Sequence, residues 1–312
     1  MKAIVYHTYG DESVLGVEEV PEPKVGADRA LVKVRAAGVN PVDYHVRSGV
    51  MDSLLDVMFP VTPGWDVSGT VERVGYLAEG FSKGDEVMGY AWMDFLHHGS
   101  YAEYMAVPLR TIVHKPTNLS WEEAAALPLA GLTAYQAIKK VGIRRGDTVL
   151  AHGVAGGTGS LGIQILQILG AQVIGTASTA NHEFVADLGA TPVAYGEGLD
   201  DAVRNLAPDG VDVIVDFHGN GSLEKSRHLL HADRSASNMV TIADGRAAIA
   251  MGAHVIGVQP NTSDLQQLAD WAGAAQLRVP VTHRFPMHEA AQAHELSASG
   301  HTRGKIVITV DA

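Results

Sequence analysis

A chain of 312 residues, 46% of them hydrophobic, holds enough apolar material for two domains with a core each, which argues against a single small binding module. Its 35 acidic against 23 basic residues give a formal charge of −12, which repels a nucleic-acid backbone, and no cluster of cations offsets it. Without cysteine there is no disulfide, no thiolate nucleophile and no cysteine-based zinc site.

Taken in chain order, residues 1–6 alternate as a strand and carry one basic residue, Lys2. Nowhere do eighteen apolar residues follow one another. The expectation is a soluble, cytoplasmic protein without a signal peptide, with neither a membrane nor a nucleic acid as partner. Up to about Pro116 short strands are split by Gly and Pro, for example 30–35, 69–74 and 102–107, and their irregular spacing predicts a partly open β-barrel. From about Trp121 apolar strands alternate with amphipathic runs of helix length. Candidate strands at 148–151, 172–176, 192–195, 211–217, 239–242 and 254–258 predict an α/β, doubly wound, six-stranded parallel sheet. Helical runs at 264–275 and 287–299 and a last strand at 305–310 have no place in that sheet. They predict a return to the first domain, so that residues 1–120 and 260–312 enclose an inserted domain of 121–259, with a ligand cleft between the two.

The strand at 148–151 runs into His152 and Gly153, then Val154, Ala155, Gly156, Gly157, Thr158, Gly159, Ser160, Leu161 and Gly162. Gly157, Gly159 and Gly162 fit GxGxxG: the first allows a tight turn, the second lets a pyrophosphate approach the backbone, and the third lets helix pack on strand. Unpaired amides at the helix start then hold the phosphates. Residues 154–159 are therefore predicted to bind a dinucleotide. A NAD site usually places a carboxylate at the end of the second strand. Here that place reads Thr176, Ala177, Ser178 and Thr179, whose hydroxyls tolerate a 2′-phosphate and favour NADPH. The alternative for Ser178 and Thr179 is that they cap the next helix. The nearest candidate cation is His182.

Seven segments extend the pattern over nearly the whole chain: AGVNPVD at 37–43, PGWDVSGTVERVG at 63–75, GDEV at 84–87, GSYAEYMAVP at 99–108, GLTAYQA at 131–137, the glycine turn, and GKIV at 304–307. In order and spacing they resemble the zinc-independent quinone oxidoreductase (zeta-crystallin-like) branch of the medium-chain dehydrogenase/reductase superfamily. The resemblance implies a GroES-like catalytic domain, an inserted Rossmann domain, a homodimer, and NADPH-dependent reduction of quinones or activated alkenes. It places Asn40 beside the nicotinamide, although Asn40 also suits a turn before Pro41. It places Thr133 against the cofactor from the start of the first Rossmann-domain helix, Tyr195 near the 2′-phosphate and Lys305 near the cofactor; for the last two a surface role is the alternative. Zinc alcohol dehydrogenases of the same superfamily carry Cys where this chain has Asn40, and His-Glu where it has Trp65 and Asp66. Relatives often carry a lysine where this chain has Asn181 and His182, and a tyrosine at His45.

Fifteen histidines form no HExxH, and His288 and His294 stand six apart, which reads as solvated helix positions. His97 and His98 read as an exposed loop. With no metal, hydride transfer to a quinone or an α,β-unsaturated carbonyl asks least of the protein, because the charge that builds on a conjugated oxygen needs only a hydrogen-bond donor. Tyr44 and His45, with Trp92 and His97, are the candidate donors. The alternative function is a non-catalytic NADPH-binding protein of crystallin or sensor type.

Overall fold

The computed structural model describes residues 1–93 and 95–310. Contacts gather them into two units, one of Met1–Leu129 with Pro260–Ala275 and the segment from Val279 onward, the other of Ala130–Gln259 with Gln276–Arg278. The chain opens with β1 (Lys2–Val5), β2 (Gly16–Glu19), β3 (Arg29–Val39), α1 (Pro41–Arg47), β4 (Asp56–Thr62), β5 (Asp66–Val74), β6 (Glu86–Tyr90), β7 (Phe95–His98), β8 (Tyr104–Pro108), β9 (Ile112–His114) and α2 (Trp121–Ala126). Through α3 (Pro128–Val141) it enters β10 (Thr148–His152), α4 (Gly157–Ile168), β11 (Gln172–Ala177), α5 (His182–Asp187), β12 (Thr191–Ala194), α6 (Leu199–Leu206), β13 (Val213–Asp216), α7 (Ser222–Ser226), β14 (Met239–Thr241), α8 (Gly245–Met251) and β15 (His254–Val255). It ends with α9 (Thr262–Gly273), β16 (Val281–Pro286), α10 (Ala290–Ala298) and β17 (Lys305–Thr309).

In the first unit the long β3 is the organising strand. Its valines at 32 and 34 are buried with Val67, Val71, Val87 and Met105 in one core cluster, each fully buried side chain contributing on the order of 1.5–3 kcal/mol. The N-terminal half of β3 pairs with β8 and its C-terminal end with β17, while β5 runs along most of its length, all antiparallel. The register Ile306↔Val39 places the start of β17 beside the end of β3, where α1 begins.

The second unit's sheet has the order β12-β11-β10-β13-β14-β15, all parallel among the described residues. Buried runs such as Val149, Leu150 and Ala151 suit strands covered on both faces. The order reverses between β10 and β13, and such a switch point opens a crevice at the carboxyl ends of the strands. Three strands of this sheet are shorter than expected. Residues 211–212 and 217 lie outside β13, residue 242 lies outside β14, and β15, at the edge of the sheet, keeps two residues. His97 and His98, expected in a loop, belong to β7, which pairs with β4. Among the described residues no helix is long and apolar enough to cross a membrane.

Candidate functional site

At the switch point the tight turn belongs to Gly153, with φ +70°, and not to Gly157, which is already the first residue of α4. A Cβ on Gly153 would sit 2.8 Å from the Cβ of His218, on the loop after β13. The second glycine of the motif, Gly159, is required by the turn itself, since a Cβ there would lie 2.3 Å from the Gly153 carbonyl oxygen. The third, Gly162, makes room for the Phe217 ring, at 2.4 Å from an added Cβ. Gly156, the N-cap, has its nearest such atom at 3.6 Å, an ordinary van der Waals contact, so a side chain there would meet no clash. Gly157 and Thr158 start α4, where no i−4 carbonyl of the helix reaches their amides and an anion can. Val154 is buried, its amide donating to the Thr176 carbonyl at 3.2 Å, while Ala155 is half-buried.

Behind this turn the carboxyl ends of the strands carry buried polar side chains. His152 lies between Thr176 Oγ1 at 3.2 Å and Ser226 Oγ at 2.8 Å, and burial holds its pKa down at about 4. Asp216 accepts from the amides of His218 and Gly219 and from the Thr241 hydroxyl, fixing the loop opposite Gly153. Beyond β11, Ser178 and Thr179 head a short turn. Ser178 Oγ accepts from Asn181 Nδ2 and makes no capping bond to the backbone, while Thr179 is exposed. The first carboxylate after β11 is Glu183, on α5. Tyr195 follows β12 and is 65% exposed. Thr133 is buried at the sixth position of α3, not at its start as the resemblance implied.

In the first unit, the turn from β3 into α1 carries the other predicted residues. The side chain of Asp43 folds back so that Oδ2 accepts the Asn40 N–H at 2.8 Å, one half of a capping box at the helix start. The Asn40 side chain also reaches the interior. Its Oδ1 accepts from Lys305 Nζ at 2.6 Å, and its Nδ2 donates to Asp66 Oδ2 at 2.9 Å. The other Asp66 oxygen accepts the Leu129 amide at 2.8 Å. Lys305 also donates to the Val39 carbonyl at 3.1 Å, and Tyr101 Oη donates to Asp43 Oδ2 at 3.0 Å. Every member of this chain is buried, so the surface alternative for Lys305 does not hold. Gly304 explains the GK pair: at φ +63°, with an added Cβ 2.4 Å from the Pro280 carbonyl, it makes the turn that delivers Lys305 inward.

Burial lifts the Asp66 carboxyl to about 6, against the pull of the Lys305 ammonium. It lifts Asp43 to about 7, against the hydrogen bonds from Asn40 and Tyr101. The Lys305 ammonium is pushed below its ordinary value by the same burial, which the two carboxylates oppose.

Beside Asp43 opens a pocket of about 350 Å³, part of it continuous with solvent, walled by Tyr6, Thr62, Trp65, Phe95 and His97. Tyr44 and His45 do not line it. The rings of Tyr44 and His45 lie 4.4 Å apart, and His45 is exposed. Trp92 does not line it either, packing on Trp65 at 5.0 Å. Asp43, Asp66, Tyr6 and Trp65 were not singled out as site residues; Asp43 and Asp66 stand inside quoted motifs, and that was the available signal. His294, expected to be solvated, is fully buried against the Tyr101 ring at 5.6 Å, while His288 is exposed. Among the described residues no three His, Asp or Glu side chains gather as a metal ion would require.

A doubly wound sheet with a glycine turn at its switch point, joined to a β-rich unit with its own apolar pocket, defines a dinucleotide-dependent oxidoreductase architecture. The family model described as an alcohol dehydrogenase GroES-like domain matches residues 26–117, and one described as a zinc-binding dehydrogenase matches 188–308. The quinone oxidoreductase of Pongo abelii is 32% identical over 333 aligned residues, covering 99% of this chain and 97% of the relative. The chloroplastic NADPH-dependent alkenal/one oxidoreductase of Arabidopsis thaliana is 32% identical over 99% of this chain and 79% of its own. The solved structure of the quinone oxidoreductase from Coxiella burnetii superposes with a TM-score of 0.88 at 34% identity, covering 100% of this chain and 99% of that one. The chain belongs to the quinone oxidoreductase branch of the medium-chain dehydrogenase/reductase superfamily.

Proposed function

We propose that this protein reduces quinones or α,β-unsaturated carbonyls by hydride transfer from NADPH, without zinc. The observation that carries the reading is the commitment of Asn40 and Asp66. At the positions where zinc alcohol dehydrogenases of the superfamily hold their metal, both amide atoms of Asn40 and both oxygens of Asp66 are bonded within the protein, and a buried ammonium already supplies positive charge. Trp65 offers an indole, which is no zinc ligand. These residues do not fit a catalytic zinc, and no step is derived through one.

The glycine turn does fit a dinucleotide: Gly157 and Thr158 open α4 with amides that no i−4 carbonyl of the helix reaches, and a Cβ on Gly156 would meet nothing closer than 3.6 Å. Val154, Ala155, Gly156, Gly157, Thr158 and Gly159 would hold the pyrophosphate. Ser178, Thr179 and Tyr195 would surround the 2′-phosphate, with no carboxylate in the segment 178–182. When bound, NADPH supplies the hydride. The chain's own residues do the rest. Lys305 holds Asn40 in one orientation, and the aromatic walls of the pocket exclude water from an apolar conjugated acceptor.

A homodimer is part of the same reading, supported by β15, an edge strand beside which Ile249 and Val255 are exposed. Light scattering at low protein concentration tests it. The activity is tested by mixing purified protein with NADPH or NADH and a panel of quinones, enones and aldehydes and following loss of reduced-nicotinamide absorbance. Turnover with quinones or enones is the expected result. Tight NADPH binding with no oxidation by any acceptor would favour a non-catalytic NADPH-binding role instead.

A further inference from the structure

Asp43 is 4% exposed, yet it lines the aromatic pocket. Its two oxygens differ. Oδ2 accepts two hydrogen bonds, from the Asn40 amide at 2.8 Å and the Tyr101 hydroxyl at 3.0 Å, while Oδ1 has no hydrogen-bond partner among the described residues. An oxygen whose lone pairs already receive two donors is the poorer place for a proton, so the neutral carboxyl carries its proton on Oδ1. Tyr6 Oη, also in the pocket wall, is buried without a partner among the described residues. A carbonyl oxygen entering between apolar walls needs a donor, and these are two groups of the wall able to supply one.

We propose that Asp43 is the proton donor of this pocket, giving a hydrogen bond from Oδ1 to the carbonyl oxygen of a bound enone and then the proton itself. The assignment rests on the reductase reading above. In the step, hydride brings an electron pair from NADPH to the β carbon and the π pair shifts to the carbonyl oxygen. The Asp43 O–H bond breaks as an O–H bond forms on that oxygen. The enol released tautomerises to the saturated ketone in water, NADP⁺ is the oxidised product, and the Asp43 carboxylate recovers a proton from solvent. Asp66, Lys305, Tyr101, Tyr6 and Tyr90 are the ionisable groups that face Asp43 from the surrounding elements. Burial among them keeps the carboxyl neutral up to about pH 7, so the donor is present below that pH and lost above it.

Binding of 2-cyclohexenone to the protein without cofactor, followed by tryptophan fluorescence between about pH 5.5 and 8.5, tests this directly. In the wild type affinity should fall about fivefold or more as pH rises through 7. Asp43→Asn, which keeps an oxygen for the helix cap and turns an amide toward the pocket, should bind the enone independently of pH. It should also reduce the enone about a hundredfold more slowly at pH 6, with NADPH affinity unchanged. Wild-type affinity that is flat across the range, or an Asn variant with wild-type turnover, overturns the assignment. If the variant does not fold, the wild-type series decides alone. A wild type that oxidises NADPH with no acceptor strikes the reductase reading and leaves the binding series to judge the donor, whereas flat binding in an active enzyme strikes the donor only.

Discussion

The Nζ of Lys305 lies 2.6 Å from Oδ1 of Asn40, a contact between residues 265 positions apart that joins the last strand to the helix start after β3. Through the Asn40 amide the ammonium is relayed to Asp66, so one cation stabilises a chain of groups that burial alone would expel.

Lys305→Met removes that cation and leaves Asn40 Oδ1 and the Val39 carbonyl without their donor. A loss of about 3 kcal/mol is expected in urea unfolding, the cost of stranding buried polar partners. A variant as stable as the wild type would show that the ammonium contributes nothing net to folding.

His294 is buried, both ring nitrogens lack a partner among the described residues, and burial depresses its pKa to about 3. A depressed histidine binds more protons unfolded than folded, so its stabilising contribution is present above the unfolded value near 6.5 and drains away as pH falls toward 3. His152, depressed to about 4, acts in the same direction. Thermal unfolding at about pH 7 and pH 5 should therefore show a smaller acid-induced drop for His294→Leu than for the wild type. Equal drops would contradict it.

Asp43 and Asp66 oppose that trend. Their folded values, about 7 and about 6, lie above the unfolded 3.8, so the stability they contribute is complete below 3.8 and is lost as pH rises through 6 and 7. Asp66→Asn, which keeps an acceptor for Leu129, should flatten the decline in stability between about pH 5 and 8. Urea midpoints across that range measure it, and an unchanged slope would count against the assignment.

Two glycines of the turn should separate folding from binding. Gly159→Ala places a Cβ 2.3 Å from the Gly153 carbonyl oxygen and should lower the melting temperature, whereas Gly156→Ala has room and should leave it unchanged. Both should weaken NADPH binding, the second only because its methyl occupies the space of a phosphate. Calorimetric titration with NADPH beside a melting curve distinguishes them.

Ser178→Asp puts a carboxylate at the end of β11, where none stands. Repulsion of a 2′-phosphate should weaken NADPH by about tenfold or more and leave NADH unaffected or improved. Equal losses for both cofactors would place the 2′-phosphate elsewhere.

Much of the fold was legible because its signals are local. Period-2 and period-3.6 patterns are written within each segment, so all six strands of the parallel sheet and the return of the C-terminal strand could be drawn from the sequence. The glycine turn was also visible, though the roles were not: only packing reveals that Gly153 makes the turn and that Gly159 and Gly162 yield to the Gly153 carbonyl and the Phe217 ring. Tyr44 and His45 offer the chemistry of a donor, but neither lines the pocket; the α1 residues that do are Asp43 and Val46, and of these only Asp43 is polar. Composition, by its lack of cysteine, and the segments around Asn40 and Gly156 determined the family. Only the tertiary structure decided that Lys305 is an interior cation, that Asn40 links it to Asp66, and that Tyr101 crowds one oxygen of Asp43 while sparing the other. The physical reason is that these partners lie 26 to 265 residues apart, and a buried charge finds its partner through the closure of sheets, which no local period encodes.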